Sequence, residues 1–401
     1  MNERAHRLPC PLAVAWCFCL LAAVGAGPLR ALDFNPFQTS MLDMDIHGFA
    51  SEGFLASSKY DYLGDTTHGS FKFTELALNA SFNPFPHTRV AAQVFSFDVG
   101  EAGRYDLALD YALIEYTLNE YFGIRGGRIR RPEGIYNDIQ DVDLTRTSVL
   151  LPQGMYDTRF RDFYLALDGG EFFGTIPLRT AGSLSYELYG GVQHPQLDGG
   201  LALEIANLPP YYRLVELHSP KIGGGQLWWN TPWKGLRAGV ALNYDRDLVY
   251  KDTIGIQSNV SAAVQHYSLE YIWNSWTFQA EYYRSVDYDN ISGGGAPNLS
   301  LHVEPESWYA GASYRFNKWM EVGSYHSEYF YGAGGPGAVV PSDNYQKDTA
   351  LSLRFDVKES WIFKIEGHYI LGTGQLYDAV NNPTRGGGGW WLMALKVTYS
   401  F

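Results

Sequence analysis

Apolar and polar residues take turns along most of this chain. In "LRAGVALNYD", Leu236, Ala238, Val240, Leu242 and Tyr244 share one parity, while Arg237, Asn243 and Asp245 share the other. "WIFKIEGHYIL" sets Trp361, Phe363, Ile365, Tyr369 and Leu371 against Lys364, Glu366 and His368. "SWYAGASYRF" sets Trp308, Ala310, Ala312, Tyr314 and Phe316 against Ser307, Ser313 and Arg315. In "TALSLRFDVK", Leu351, Leu353, Phe355 and Val357 oppose Ser352, Arg354, Asp356 and Lys358. The stretch 391–401 places Trp391, Met393, Leu395, Val397, Tyr399 and Phe401 opposite Leu392, Ala394, Lys396, Thr398 and Ser400. A period of two is that of a β-strand whose two faces meet different surroundings.

The same reading predicts about sixteen strands, an even number of the kind closed membrane barrels carry. They fall near 45–57, 70–83, 88–98, 105–118, 121–131, 159–168, 181–193, 222–230, 235–246, 259–273, 276–288, 306–316, 319–331, 347–357, 361–372 and 391–401. Residues 71–82 and 105–118 each change parity midway, as a β-bulge would cause. Residues 121–131 are Gly-rich and ambiguous. No run of about 18 apolar residues follows the leader, so no internal transmembrane helix is expected.

Connections sort into two classes. "NPFPHT", "LNEY", "TPWKG", "WNSW", "FNKW" and "VKES" are short. They alternate with longer segments rich in Gly, Asp, Asn and Pro at 132–158, 194–221, 289–305, 332–346 and 373–388. Trp233, Trp273, Trp276, Trp319 and Trp361 gather at the short-turn end, where amphipathic rings suit a headgroup belt. The expected fold is therefore all-β: a transmembrane antiparallel β-barrel with short periplasmic turns and long external loops. A soluble sandwich, propeller or β-helix also alternates. Such a fold leaves the turn asymmetry and the tryptophan belt as separate accidents.

The first residues read as a leader. Arg4 and Arg7 precede an apolar stretch from Leu8 to Leu21, followed by Ala22, Ala23, Gly25 and Ala26. This has the form of a secretory signal peptide over 1–26, with Ala31 as a second cleavage candidate. Pro9 and Pro11 argue against an uncleaved membrane anchor. A periplasmic segment over 27–43 and the barrel over 44–401 would follow. All three cysteines, Cys10, Cys17 and Cys19, lie in the leader. The mature chain is thereby denied disulfides, thiolate metal ligands and a cysteine nucleophile.

Composition agrees with two kinds of surface. Aromatic residues make up 15% of the 401, charged residues only 18%, and Gly occurs 43 times. Net charge is −13, and losing Glu3, Arg4 and Arg7 makes the mature chain one unit more negative. That disfavours nucleic acid as a partner. Enzyme signatures are missing: there is no HExxH, GxSxG or Walker loop. His326 beside Ser324 and Ser327, and His368 beside Glu366, are the pairs a hydrolase would use, and each reads more simply as a polar lumen residue. "LDMDIHG" is a weak Ca²⁺ candidate, and no cofactor is expected.

The ending Leu395, Val397, Tyr399, Phe401 resembles the C-terminal assembly signal of Gram-negative outer-membrane proteins, which implies the barrel-assembly machinery as a partner. The whole chain resembles the Gram-negative porin superfamily of 16-stranded type. "GGRIRRPEGIY" is similar to the stretch entering the third loop of phosphate- and pyrophosphate-selective porins. The resemblance implies an outer-membrane location amid lipid and lipopolysaccharide, a homotrimer, and a third external loop folded into the lumen. Here that loop is Arg130 to Asp157, and its patch "SVLLPQGMY" suits a loop packed on a wall. A barrel of this width leaves an aqueous channel unless something fills it. Small polar solutes would diffuse through it. Expected at the constriction are Glu133, Asp138, Asp141, Asp143 and Arg146, and on the pore wall Arg89, Arg125, Arg128 and Arg130. Arg131, Arg159 and Arg161 are further basic candidates. Carboxylates facing guanidinium groups make a transverse field that orients water and sets ion preference. The loop acids interrupt the arginine ladder of the phosphate-selective relatives. Tyr136, Tyr211 and Tyr212 are candidates for stacking on sugars. A barrel phospholipase or protease and a closed structural barrel are the rival functions.

Overall fold

In the computed structural model the alternating stretches pair, neighbour with neighbour, into one antiparallel sheet closed on itself. It describes residues 44–100, 102–197, 199–206, 213–295, 297–332, 341–376 and 382–401. The expected leader, the segment 27–43, and Tyr211 and Tyr212 lie outside them. The strands are β1 (Met44–Ser57), β2 (Phe73–Phe85), β3 (Thr88–Val99), β4 (Leu107–Asn119), β5 (Phe122–Arg130), β6 (Ala166–Pro177), β7 (Ser183–Val192), β8 (Leu214–His218) and β9 (Lys221–Asn230). The circuit continues with β10 (Leu236–Asp252), β11 (Ile256–Trp273), β12 (Trp276–Gly293), β13 (Leu299–Val303), β14 (Glu306–Arg315), β15 (Met320–Phe330), β16 (Tyr345–Val357), β17 (Trp361–Gly372) and β18 (Gly389–Ser400).

These segments make a barrel of 16 strands, because two of its staves are broken. β8 and β9 both run along β10, and β13 and β14 both run along β12. Pro220 and Pro305 sit at the breaks. Proline has no amide to donate, so the ladder lapses there and resumes beyond. The segments expected as loops at 194–221 and 289–305 are shorter for this reason: each holds a strand extension above its proline.

β18 pairs with β1 along Phe49–Ser57, which closes the sheet and leaves no open edge. The closure extends one step further. Gly48 donates its amide to the Phe401 carbonyl at 3.2 Å, and Phe401 returns a bond to Gly48 at 3.0 Å. A Cβ at position 48 would lie 2.7 Å from the Phe401 ring, so glycine is what lets that ring lie against β1.

Parity decides the surroundings of every side chain. Leu351, Phe363, Ile365, Trp391 and Met393 point outward and are exposed, whereas Ser352, Lys364, Glu366 and Lys396 point inward and are buried. An exterior of this kind inverts the usual soluble pattern, in which contiguous exposed apolar surface is small. Trp233 and Trp319 lie in short turns, and Trp273 pairs with Trp276 across another. The expected belt is thus present at one end.

One of the two expected parity changes occurs. β2 stays in unbroken register with β3 from Phe73 to Phe82, and the two slip only beyond it, between Phe82 and Phe85. In β4 the partner of Gln93 is Tyr111 and that of Val94 is Leu109, so Asp110 is the extra residue. Exposed side chains fall on odd numbers before it (Leu107, Leu109) and on even numbers after it (Ile114, Tyr116, Leu118). The bulge turns Asp110 inward, where it is 3% exposed.

One strand is displaced from expectation. The sequence reading places a strand at 159–168. Thr158–Phe160 and Arg161–Tyr164 instead form short helical turns, and β6 begins only at Ala166. Arg161 Nη2 reaches Asp110 and Asp141 from this turn, an interaction an extended segment would forgo.

Candidate functional site

The loop between β5 and β6, residues 131–165, turns inward and binds side chains that project from the barrel wall. Its first anchor is Glu281 of β12. That carboxylate accepts from Ile135 N (2.9 Å), Tyr156 Oη (2.5 Å), Ser268 Oγ (2.6 Å) and Tyr309 Oη (2.8 Å). His266 Nε2 lies 3.0 Å away on the same group. The second anchor is Glu366 of β17, which accepts the amides of Val149 (2.9 Å) and Leu150 (2.8 Å). These amides belong to the apolar patch, whose Val149 and Leu150 pack with Leu55, Tyr62, Ile370 and Trp390.

The third anchor runs the other way, from loop acid to wall cations. Asp143 meets Lys364 (3.1 Å), Lys396 (2.9 Å) and Arg146 (3.3 Å), and accepts from Thr398 Oγ1 (2.6 Å). Burial would raise the Asp143 carboxyl, but the two ammonium groups and Arg146 outweigh it and hold the group well below the carboxylate range. The fourth anchor is a closed ring of charges. Arg130 Nη2 lies 2.5 Å from Asp110 and 2.7 Å from Asp141, and Arg161 Nη2 lies 2.7 Å and 2.8 Å from the same pair. Asp141 is likewise held low by Arg161 and Arg130 against the effect of burial. Buried charges persist when paired in this manner.

The expected site residues therefore separate into groups. Asp141, Asp143 and Arg146 are buried and paired within the anchors, with no face to open water. Glu133 is buried against Arg131 (2.9 Å), and its carboxyl is depressed by that guanidinium in spite of burial. Asp138 is the exposed one of the set. Enclosure by the barrel raises its carboxyl, Arg130 opposing, and Arg125 and Arg237 are also within electrostatic reach.

On the wall, Arg89 has the parity of buried Ala91, Gln93 and Phe95 and so faces the lumen, exposed. It carries no ion pair among the described residues. Arg125 also faces inward, between Glu115 (2.9 Å) and Glu171 (3.0 Å). Arg128 is corrected: three positions from Arg125, it falls on the opposite face. It pairs with Ala112 on the outward side of β4 and bonds Asp168 at 3.2 Å. Arg130 belongs to the charge ring rather than to open wall. Arg131 and Arg159 are likewise paired, with Asp245 (3.3 Å) and Asp157 (2.5 Å).

No protein-family model matches the chain, and no curated protein sequence matches it. Solved structures do. OmpF of Salmonella typhi, in complex with daunomycin, superposes with a TM-score of 0.59 at 12% identity, over 90% of this chain and 98% of that one. The anion-selective porin from Comamonas acidovorans gives 0.51 at 10%, over 90% and 100%. OmpT, an outer membrane protein of Vibrio cholerae in its trimer form, gives 0.52 at 11%, over 90% and 99%. The fold is that of the porins. Identities this low carry the architecture and not the chemistry, so the lumen has to be read from its own side chains.

In this porin fold, sequence reasoning missed Asp110, Glu281, Lys364 and Lys396 as partners of the inner loop. Their polar character on inward parity was visible, but nothing local tells a strand residue which loop it will meet. Among the histidines, His368 is clamped between Asp348 (3.0 Å) and Glu366 (3.0 Å), with a carboxylate on each ring nitrogen and no serine between. His326 is corrected: it shares the outward parity of exposed Ser324 and lies edge-on to Trp308, so it is not a lumen residue. A histidine not singled out, His194, lies 3.1 Å from Ser219 Oγ through Nδ1 and 3.0 Å from Asp168 through Nε2.

Proposed function

We propose that this protein is a porin of a Gram-negative outer membrane, a water-filled channel for passive diffusion of small polar or charged solutes. The observation that carries the reading is an asymmetry of the lumen. Most anchors of the inner loop lie on β10–β18, with one on β4 at Asp110, while the wall keeps water-accessible charged groups, Arg89, Arg125 and Arg237, with Asp138 of the loop within their reach. A passage of that kind selects by field rather than by fit. Glu115, Glu171, Glu187 and Glu270 add acid to this wall, which favours cations. Phosphate selectivity finds no support, because Arg125, Arg128, Arg130 and Arg131 are each engaged by a carboxylate. The apolar exterior suits lipid, with the tryptophan end toward the periplasm and the loop end toward lipopolysaccharide. The trimer form of OmpT supports a homotrimer. Diffusion needs no cofactor. The test is reconstitution in planar bilayers: stable conductance steps with a reversal potential of cation sign uphold the reading, and a silent, correctly folded barrel ends it.

A second reading has one observation in its favour. Ser219, His194 and Asp168 form a serine–histidine–carboxylate chain at the rim, as a barrel hydrolase would require. Its imidazole presents Nδ1 to the serine, the reverse of the usual order, and Asp168 is shared with Arg128. Labelling of Ser219 by a fluorophosphonate would establish this reading, and its absence would leave the channel.

A further inference from the structure

We infer that the loop-side vestibule over β10–β13 is a binding site for small organic cations that carry an apolar or aromatic body. This deepens the channel reading and rests on it for its physiological sense. The space is a cavity of about 340 Å³ between the inner loop and the loop-end halves of these strands. That lies within the range of small-molecule sites.

Its walls carry two chemistries side by side. β11 contributes Val260, Ala262 and Val264, and β12 contributes Asp289, Asp287 and Ser285 in register beside them. The apolar wall continues through Leu248 and Val303, and Tyr283, Tyr329 and Tyr331 add rings. A lumen face meant for water alone has no need of valines there.

Asp287 and Asp289 have no counter-ion among the described lining residues. Among the described lining residues the cationic groups are Arg131 and His266. Arg131 is already held by Glu133 and Asp245, and His266 by Glu281. Asp287 accepts a bond from Ser285, and the imidazole within electrostatic reach of it, His302, lies outside the lining and is engaged by Glu304. Asp245 is 6% exposed, and its Oδ1 has no hydrogen-bond partner. A buried carboxylate oxygen left unsatisfied beside a cavity is expensive unless a donor arrives. An ammonium or guanidinium group supplies that donor, while its apolar body covers the valine and tyrosine wall.

Tryptamine is a suitable probe, with indole-3-acetate and tryptophol as its anionic and neutral counterparts. Calorimetric titration of the folded barrel in detergent should find tryptamine at least about tenfold tighter than either counterpart. The double substitution Asp287→Asn, Asp289→Asn should remove about tenfold of that preference. Both residues are partly exposed, so the variant should keep the heat-modifiable gel mobility of a folded barrel. Equal binding of all three probes, binding unchanged in the double variant, or preferential binding of neutral maltotriose would overturn the site. Bilayer conductance is read in parallel on the same preparations. A barrel that conducts but ignores tryptamine refutes the vestibule alone, whereas one that binds tryptamine but never conducts refutes the channel and upholds the site.

Discussion

Lys364 of β17 holds Asp143 of the inner loop at 3.1 Å, across 221 residues of sequence. Lys364 Nζ also donates to the carbonyls of Asp143 (3.0 Å) and Ser148 (2.9 Å), so a single ammonium fixes both ends of a six-residue arc.

Substituting Asp143→Asn leaves Lys364 without a carboxylate in a buried setting, while Lys396 keeps Glu75. Loss of one partner from such a pair typically costs about 3–5 kcal/mol. The expected result is a folded barrel with a loosened loop, seen as increased open-channel noise and a lower urea midpoint. Unchanged noise together with unchanged stability would show that the loop is held elsewhere.

Asp138 and Asp141 differ by three positions and should differ in effect. Asp138→Asn removes an accessible charge, and a unit charge about 10 Å from a passing ion in water is worth about 0.4 kcal/mol, or about twofold in relative permeability. Cation preference should fall by that factor with little change in stability. Asp141→Asn should do the reverse, weakening the barrel while leaving the reversal potential close to wild type.

Acid should separate these two properties. Glu133, Asp141 and Asp143 are held below the ordinary carboxylate range. Their contribution is complete above the unfolded value near 4 and is lost as pH falls through their lower folded values. Asp138 is raised by enclosure, so its charge disappears first. Titration from neutral pH downward should therefore erode cation preference before noise rises. Simultaneous change would contradict the assignment.

Gly169 of β6 faces Gly191 of β7 in the ladder. A Cβ on Gly169 would sit 2.1 Å from the Gly190 carbonyl oxygen, whereas one on Gly223 would meet nothing within 4 Å. Gly169→Ala should impair folding by at least about 3 kcal/mol, the upper end for overpacking, with loss of heat-modifiable mobility. Gly223→Ala should fold normally.

Much of this architecture can be read from parity alone. The alternation in β14, β16, β17 and β18, and in β10 as far as Asp245, is uninterrupted because one face meets an apolar surrounding and the other the lumen. Even the bulge at Asp110 announces itself as a change of phase. β6 is displaced because Thr158–Tyr164 forms helical turns that place Phe160, Arg161 and Phe163 in a packed interior. The lumen site was legible as a loop and as a set of residue types. Its pairing was not, because Asp143 finds Lys364 and Lys396 only after the last strands are in place.

The reciprocal bonds between Gly48 and Phe401 join the two most distant ends of the described chain. Loop closure over so long a span is among the least favourable entropically. Until it happens, every earlier hairpin belongs to an open sheet with two bare edges, each a template for another chain. Such a molecule has no stable half-built form: its last strand is the rivet, and assembly must shelter the remainder until it is driven home.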